Sequence, residues 1–232
     1  MSIIRIGSRG SDLALWQANF VKNELEKFGH QVSITIITTK GDAIQHLSFD
    51  KIEGKGFFTK EIEEQLLNNA VDLAVHSHKD LETTQPEGLA IGAVSHRANP
   101  ADVILVRKVR ADASKKFKLS QNSIVGTSSA RRHVQLTHFR PDLSIKDIRG
   151  NITTRIQKLR NGDFDAIILA YAGISRLKLD VSDLELVEMD IKEFIPAPAQ
   201  GVLALQIREG DHELKNILHK INHPEVANAI SI

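Results

Sequence analysis

Cations in this 232-residue sequence gather at short turn motifs. Gly126-Thr127-Ser128-Ser129-Ala130-Arg131-Arg132 sets small hydroxylated residues just ahead of two arginines. At a helix start, free backbone N–H groups, hydroxyls and guanidinium forks together suit a carboxylate or a phosphate. A serine N-cap followed by a solvated basic face would look the same, because Ser/Thr caps are common. Arg149-Gly150-Asn151-Ile152-Thr153-Thr154-Arg155 repeats the device, with Gly150 allowing a tight turn and Arg155 near the first turn of the next helix, and Gly7-Ser8-Arg9-Gly10-Ser11 supplies a third. Lys55 sits between Gly54 and Gly56, ahead of Phe57-Phe58. It reads as a mobile cation or as a solvated loop lysine, and fits neither a Walker loop nor a dinucleotide fingerprint. Lys79-Asp80 follow His76-Ser77-His78 at the end of an apolar run. A carboxylate at the mouth of a buried strand can serve as general acid/base or stabilise a transient cation; its plain alternatives are a helix cap or an ion pair with Lys79. His76 and His78 lack a third ligand of suitable spacing, so no metal site is expected. Arg9, Lys55, Lys79, Arg131, Arg132, Arg149 and Arg155 all fall at expected strand–helix junctions, which points to a ligand with several carboxylates or phosphates, and to Asp80 as the lone acid among the cations.

Alternating β-branched runs and helical patterns must position these residues, the signature of α/β architecture. Strands are expected over residues 3–6, 32–38, 71–76, 123–125, 143–148 and 165–170. Helices are expected over 12–28, with Leu13, Trp16, Phe20 and Leu25 facing the core, and over 58–68, 129–139 and 151–160, the last stopping at Asn161-Gly162. Two echoes suggest similar halves: strand-Gly7-Ser8-Arg9-Gly10-Ser11-helix against strand-Gly126-Thr127-Ser128-Ser129-helix, and Asn68 to Asp72 against Asn161 to Asp165. Asn99-Pro100 and Pro196-Ala197-Pro198 mark two crossings between lobes, and residues 202–207 read as a strand that returns to the first lobe's sheet. Two crossings imply a hinge and a central cleft, where open α/β sheets bind ligands. The expected boundaries are 1–97 plus 196–219 for the first domain, the catalytic-cleft lobe, and 100–193 for the second, the anion- and cofactor-binding lobe. The fold expected is two similar lobes with mixed sheets, periplasmic-binding-protein-like.

Composition narrows the chemistry. The sequence is 41% hydrophobic and 25% charged, ordinary for a chain that buries a core, and contains no cysteine, which excludes disulfides, zinc thiolates and thiol nucleophiles within these residues. No apolar run resembles a signal peptide or a membrane span, so a cytoplasmic location without membrane association is expected. The net charge of +1 conceals a segment, residues 124–160, that carries +6 against −5 for the rest. Nucleic acid is not the expected partner, since the arginines fall at junctions rather than along one face and aromatic stacking residues are few.

Six ordered segments carry a resemblance: Arg9-x-Ser11-x-Leu-Ala-Leu-Trp-Gln17, Gly54-Lys55-Gly56-x-Phe58-x-Lys60-Glu61, Ala74-Val-His76-Ser77-x-Lys79-Asp80, Gly126-Thr-Ser-Ser129-x-Arg131-Arg132, Arg149-Gly-Asn151-x-x-x-Arg155 and Ala199-Gln200-Gly201. Together, from about residue 3 to 224, they resemble the porphobilinogen deaminase (hydroxymethylbilane synthase) family. The resemblance implies a transferase of tetrapyrrole (porphyrin, heme) biosynthesis that joins four porphobilinogens head to tail into hydroxymethylbilane and releases ammonia. It implies that Arg9, Ser11, Lys55, Lys79, Thr127, Ser128, Ser129, Arg131, Arg132, Arg149 and Arg155 hold pyrrole acetates and propionates, with Ser77 and Gly150 in the same binding set. Asp80 would contact pyrrole N–H groups and assist loss of ammonia, Phe58 would stack near the reacting pyrrole, and Gln200-Gly201 would lie at the hinge beside the cofactor. Porphobilinogen and polypyrrole intermediates are the implied partners of a monomer.

Departures from the family pattern are His78 for a methionine, Ala130 for a leucine, and Ala199 and Val202 in the Gly-Gln-Gly-Ala segment. His78 is the one able to alter acidity or substrate fit; the others adjust packing. The resemblance further implies a third domain whose cysteine anchors a dipyrromethane cofactor, of which residues 220–232 read as a stub. With no cysteine here, little turnover is expected of this chain, and the alternative is a non-catalytic two-lobed module that binds polycarboxylates.

Overall fold

The computed structural model describes residues 3–39, 41 and 59–230. In chain order its strands and helices are β1 (Ile4–Ser8), α1 (Asp12–Lys27), β2 (Val32–Ile36), α2 (Lys60–Leu67), β3 (Leu73–Ser77), β4 (Leu89–Val94), β5 (Asp102–Arg107), β6 (Ile124–Gly126), α3 (Ala130–Phe139), β7 (Ser144–Lys146), α4 (Ile152–Asn161), β8 (Ala166–Ala170), α5 (Tyr171–Leu177), β9 (Leu184–Glu188), β10 (Leu203–Arg208), α6 (His212–Leu218) and α7 (Pro224–Ile230). They form two compact units: the described residues up to Ala98 together with those from Pro198 onward, and Asn99–Ala197. Among the described residues no helix is long and apolar enough to cross a membrane.

The first unit holds one five-stranded sheet, in the order β2-β1-β3-β10-β4. β1 runs parallel to β2 and β3, and β10 runs antiparallel to β3 and β4. The returning strand therefore lies inside the first sheet, as its apolar sequence suggests. Burial on both faces explains that sequence. Ile6, Leu73, Val75, Leu205 and Ile207 pack with Val21 and Leu25 of α1 and Leu214 and Leu218 of α6. On the opposite face Ala74 and Leu89 pack with Ile62 and Leu66 of α2.

The second unit repeats the plan in the order β7-β6-β8-β5-β9, with β6 parallel to β7 and β8, and β5 antiparallel to β8 and β9. Val103, Leu105, Ile167 and Leu169 face α4 and α5 through Ile156, Leu159 and Ile174. Ile104, Val106, Ala166 and Ile168 face Leu136 of α3, Leu119 and Phe194.

The sequence echoes have structural counterparts. Asp72 and Asp165 each precede the middle strand of their sheet and clamp its parallel neighbour. Asp72 N donates to Arg5 O at 2.8 Å while its Oδ2 accepts from Arg5 N at 3.0 Å; Asp165 N donates to Ile124 O at 2.8 Å and its Oδ2 accepts from Ile124 N at 2.8 Å. A left-handed residue three positions upstream turns each chain out of the preceding helix, Asn69 at φ 58° and Gly162 at φ 90°. Gly7 and Gly126 each permit close packing: a Cβ would meet Ile37 Cδ1 at 2.9 Å in one and Phe164 Cδ1 at 2.9 Å in the other.

Several element limits differ from expectation. The buried residues of α1 are Gln17, Ala18, Val21 and Leu25; of the expected stripe Leu25 is fully buried and Phe20 packs, partly buried, against the core, while Leu13 and Trp16 stay outside it. Trp16 instead stacks on Phe20 with ring centroids 5.5 Å apart, both only partly buried. The run at 143–148 contributes only three paired residues, because β6 offers three partners and the Ile148 backbone then turns onto the Ser128 hydroxyl. Strands β4, β5 and β9 are additional to those expected from sequence. The helix expected from Phe58 is described from Lys60; Phe58 lies outside the described residues.

Candidate active site

In the first unit the C-terminal ends of β1 and β3 and the start of β10 share one sheet edge, fixed by the pairings Gly7↔Ala74 and Leu203↔Ser77. Arg9 and Ser11 follow β1. Ser11 caps α1, its hydroxyl accepting from Ala14 N at 3.4 Å. Ser77 ends β3 and accepts from Nε2 of the buried Gln17 at 2.9 Å. The chain then makes a single 3-10 turn, His78–Asp80, pinned by His78 N on Val202 O at 3.0 Å. Lys79 and Asp80 are exposed on that turn. Lys79 Nζ donates to Gln200 Oε1 at 3.3 Å, and the Gln200 carbonyl accepts from Arg97 Nε at 3.0 Å. Gln200 is fully buried, so its amide is a fixed rather than a mobile partner. Gly201 must be glycine: at φ 91° a Cβ would lie 2.5 Å from the Ala98 carbonyl oxygen.

The imidazoles beside the turn are neutral near pH 7. Burial pushes His76 down to about 4, against a hydrogen bond to Gln206 that favours the charged form; burial likewise lowers His78. Among the described residues no group of three or more His, Cys, Asp or Glu side chains could hold a metal ion.

In the second unit the equivalent edge carries the residues after β6 and β7 and the start of β5. Each expected hydroxyl has an internal partner. Thr127 Oγ1 accepts from Ser129 N at 3.3 Å, Ser128 bridges the backbone N–H and carbonyl of Ile148 at 3.0 Å each, and Ser129 caps α3 through Arg132 N at 3.4 Å. Gly150, at φ 111°, directs its carbonyl to Arg155 Nε at 2.8 Å, while the Arg149 carbonyl accepts from Lys158 Nζ at 3.1 Å. Arg149 and Arg155 are half-buried at the start of α4. Lys55 and Phe58, expected beside these groups, lie outside the described residues.

Asp80 is not the only acid among the cations. Asp102 opens β5 with no exposed side-chain surface; its Oδ2 lies 2.7 Å from Arg131 and its Oδ1 2.7 Å from Arg132. Arg132 adds a bond from Nε to the same Oδ1 at 3.2 Å and one to the Ile168 carbonyl at 3.1 Å. A buried carboxylate is tolerated only with such partners, since an uncompensated one costs several kcal/mol. The expectation fails because Asp102 is separated by 29 residues from Arg131 in sequence, and only the antiparallel pairing Asp102↔Ala170 carries it to this edge. Arg140 and Arg160 of the basic segment are also paired, with Asp142 and Asp183 at 2.7 Å each; Asp142 is already counted in the +6, so Asp102 and Asp183 offset only part of that charge. Arg176 on α5 is a further arginine that the motifs do not flag; desolvation lowers it to about 10.

A family model described as "Porphobilinogen deaminase, dipyromethane cofactor binding domain" matches residues 4–216. The chain belongs to the porphobilinogen deaminase family. It is therefore of a family of transferases in tetrapyrrole biosynthesis. The porphobilinogen deaminase of a Nitratiruptor species is 45% identical over 224 residues, covering 97% of this chain and 70% of that protein. That of Pelobacter propionicus is 43% identical over 229 residues, covering 98% and 72%. Solved structures agree on the fold alone. An ancestral cationic amino acid solute binding protein superposes with a TM-score of 0.56 at 18% identity, covering 94% of this chain and 87% of that one. The periplasmic VFT2 domain of Bordetella pertussis BvgS gives 0.54 at 16%, covering 99% and 92%. Both are of the periplasmic-binding-protein type, as the sequence suggests.

Proposed function

We propose that this chain carries the binding and catalytic side chains of a porphobilinogen deaminase that condenses porphobilinogen head to tail toward hydroxymethylbilane. The family match over residues 4–216 carries the reading. It is supported by the exposed carboxylate of Asp80, presented next to Lys79 at the C-terminal end of a buried strand, the position where α/β sheets place reactive groups.

In this reading Asp80 accepts hydrogen bonds from the pyrrole N–H. As the aminomethyl C–N bond breaks and its electron pair leaves with ammonia, the ring and exocyclic methylene become cationic, and the adjacent carboxylate offsets that charge. The α-carbon of a second pyrrole then forms the C–C bond, and its proton is lost. Lys79, steadied on Gln200, and Arg9 hold acetate and propionate groups, with Ser11, Ser77 and Gly201 shaping the edge. In the second unit Arg149 and Arg155 hold carboxylates, and Arg131 and Arg132 orient theirs from the Asp102 pair, with Thr127, Ser128, Ser129 and Gly150 setting the backbone that carries them.

The cation-rich donor set suits the carboxylates of a dipyrromethane, which when bound supplies the pyrrole end to which substrate is added. In the second unit Arg149 and Arg155 are the residues assigned to it. The 232 residues contain no cysteine, so no thioether forms within them, and turnover by this chain alone is expected to be low.

The test is incubation with porphobilinogen while following ammonia release and the bilane or uroporphyrin chromophore. Slow ammonia release that disappears in Asp80→Ala, with porphobilinogen still bound and the circular dichroism spectrum unchanged, supports the reading. Release at the wild-type rate in that variant removes the role given to Asp80, and tight binding with no ammonia in any form makes the chain a binding module.

A further inference from the structure

Beneath the Lys79–Asp80 turn lies a side-chain network that the assigned chemistry does not use. Gln206 of β10 is fully buried, and His76 of β3 nearly so. The register Ala204↔His76 and Gln206↔Ala74 puts both on one face of the sheet, diagonally adjacent. His76 Nε2 lies 3.1 Å from Gln206 Oε1. Both hydrogens of the Gln206 amide are already engaged, by Glu63 Oε1 of α2 at 3.1 Å and Gln85 Oε1 at 2.8 Å. Gln85 in turn donates from Nε2 to the Glu82 carbonyl at 3.1 Å.

The direction of every bond follows from this count. The opposite orientation of Gln206 would set its oxygen against the carboxylate of Glu63 and the carbonyl of Gln85, three acceptors together with no donor. Gln206 Oε1 must therefore face His76, and can only accept, so His76 carries its proton on Nε2. The chain of donors runs His76 to Gln206, Gln206 to Gln85, and Gln85 to the backbone of Glu82. It starts four residues before Asp80 and ends two residues after it, closing a ring of hydrogen bonds around the segment 76–82.

We infer that Gln206, oriented by Glu63, is a positioning residue that clamps both ends of the loop bearing Lys79 and Asp80, and that the Nε2–H form of His76 is the sign of the clamped state. The inference rests on the role given to Asp80 above, but the clamp itself is read without reference to catalysis. A reactive carboxylate on an exposed turn needs such support, because a site held loosely by its surroundings loses the geometry its chemistry requires. Ser77 on Gln17 and Lys79 on Gln200 hold the middle of the loop, and Gln206 holds its two ends.

The experiment is carried out on the whole 232-residue chain with ¹⁵N-labelled histidine. Near pH 7 the wild type is expected to show His76 as a single Nε2–H tautomer. Glu63→Gln, at a half-exposed position that leaves the core untouched, removes the charge that fixes the Gln206 amide, and a mixture of His76 tautomers is expected. Gln85→Ala cuts the exit tether while leaving β3 and β10 intact, and faster hydrogen exchange is expected at residues 80–85 but not at 203–208. Gln206→Leu removes both ends at once; should it fail to fold, the two milder variants decide. Porphobilinogen affinity in Gln85→Ala is expected to fall about fivefold, the net worth of one hydrogen bond. An Nδ1–H tautomer in the wild type, or unchanged tautomer and exchange in both mild variants, overturns the clamp. If the wild type does not bind porphobilinogen while tautomer and exchange respond as stated, the clamp stands and the role of Asp80 falls.

Discussion

The two units lay five strands in the same order and the same directions, and use the equivalent edge in opposite ways. Aligning Gly7 with Gly126 through their pairings, Gly7↔Ala74 and Gly126↔Ile167, brings Ser77 onto Ala170 and hence Leu203 onto Asp102. At that one register position the first unit buries a leucine and the second a carboxylate. Where the first unit buries only neutral polar groups beneath its edge, Gln17, His76, Gln200 and Gln206, Lys79 and Asp80 stand exposed on a turn. Where the second has Asp102, Arg131 and Arg132 are drawn inward and fixed. Positive charge in sequence is thus of two kinds: cations held by a buried acid, as Arg131 and Arg132 are by Asp102, and cations exposed on a turn beside neutral partners, as Lys79 is by Gln200.

The most direct challenge to this contrast is to make the second unit resemble the first. Asp102→Leu leaves Arg132 buried without its carboxylate and is expected to cost about 3–5 kcal/mol. Adding Arg131→Met and Arg132→Met should restore most of the loss. Trp16 and Tyr171, the sole tryptophan and tyrosine, lie in different units, so urea unfolding followed by their fluorescence assigns the effect. The tyrosine transition should move and the tryptophan transition stay. A loss below about 1 kcal/mol would mean that the pair is dispensable.

Next in size are the paired glycines. Gly126→Ala pushes a methyl against the ring of Phe164, and Gly7→Ala pushes one against the flexible tip of Ile37, both at 2.9 Å. Overpacking of this kind costs about 1–3 kcal/mol, and the stiff ring should put Gly126 at the upper end and Gly7 at the lower. Equal losses in thermal or urea melts would show that the two cores yield alike. The serine caps test the likeness instead: Ser11→Ala and Ser129→Ala should each cost about 1 kcal/mol in the same melts, since each loses one N-cap bond.

The smallest effect is confined to acid. Burial pushes the Asp72 carboxyl up, but hydrogen bonds from Arg5 and Arg208 outweigh it and hold the group at about 2, against 3.8 for the ordinary carboxyl. A lowered folded value means that this stabilisation is complete above pH 4 and is lost as pH falls toward 2. Asp72→Asn should flatten the acid limb of stability for the Trp16-reported unit and leave the neutral plateau with a smaller, pH-independent loss. An acid limb identical to wild type would show that the clamp on Arg5 carries no charge-dependent part.

Much of this was legible in the residues. Two α/β halves, the return of 202–207 to the first sheet, the stop at Asn161-Gly162 and the cap alternative for the run ending at Ser129 follow from periodicity, turn residues and hydroxyl placement, all of which act over a few positions. The α1 face keeps Leu25 and, at its margin, Phe20, but the sheet also takes the smaller Ala18 and Val21 and leaves Trp16 stacked on Phe20, because close packing against strands favours small side chains over a wide indole. Six spaced motifs were enough to point to the family, because each motif is local even though their union is not.

What local sequence could not decide is which polar groups are paired. Arg131 lies 29 residues from Asp102, and His76 lies 130 residues from Gln206. No short-range rule links them; strand β5 at the start of one sheet and β10 at the end of the other bring them together. Residue order alone set the types of side chain and the turns that carry them. Packing in three dimensions settled which charges are neutralised inside the protein, because a buried charge survives only beside its partner, and partners are assigned by strand order.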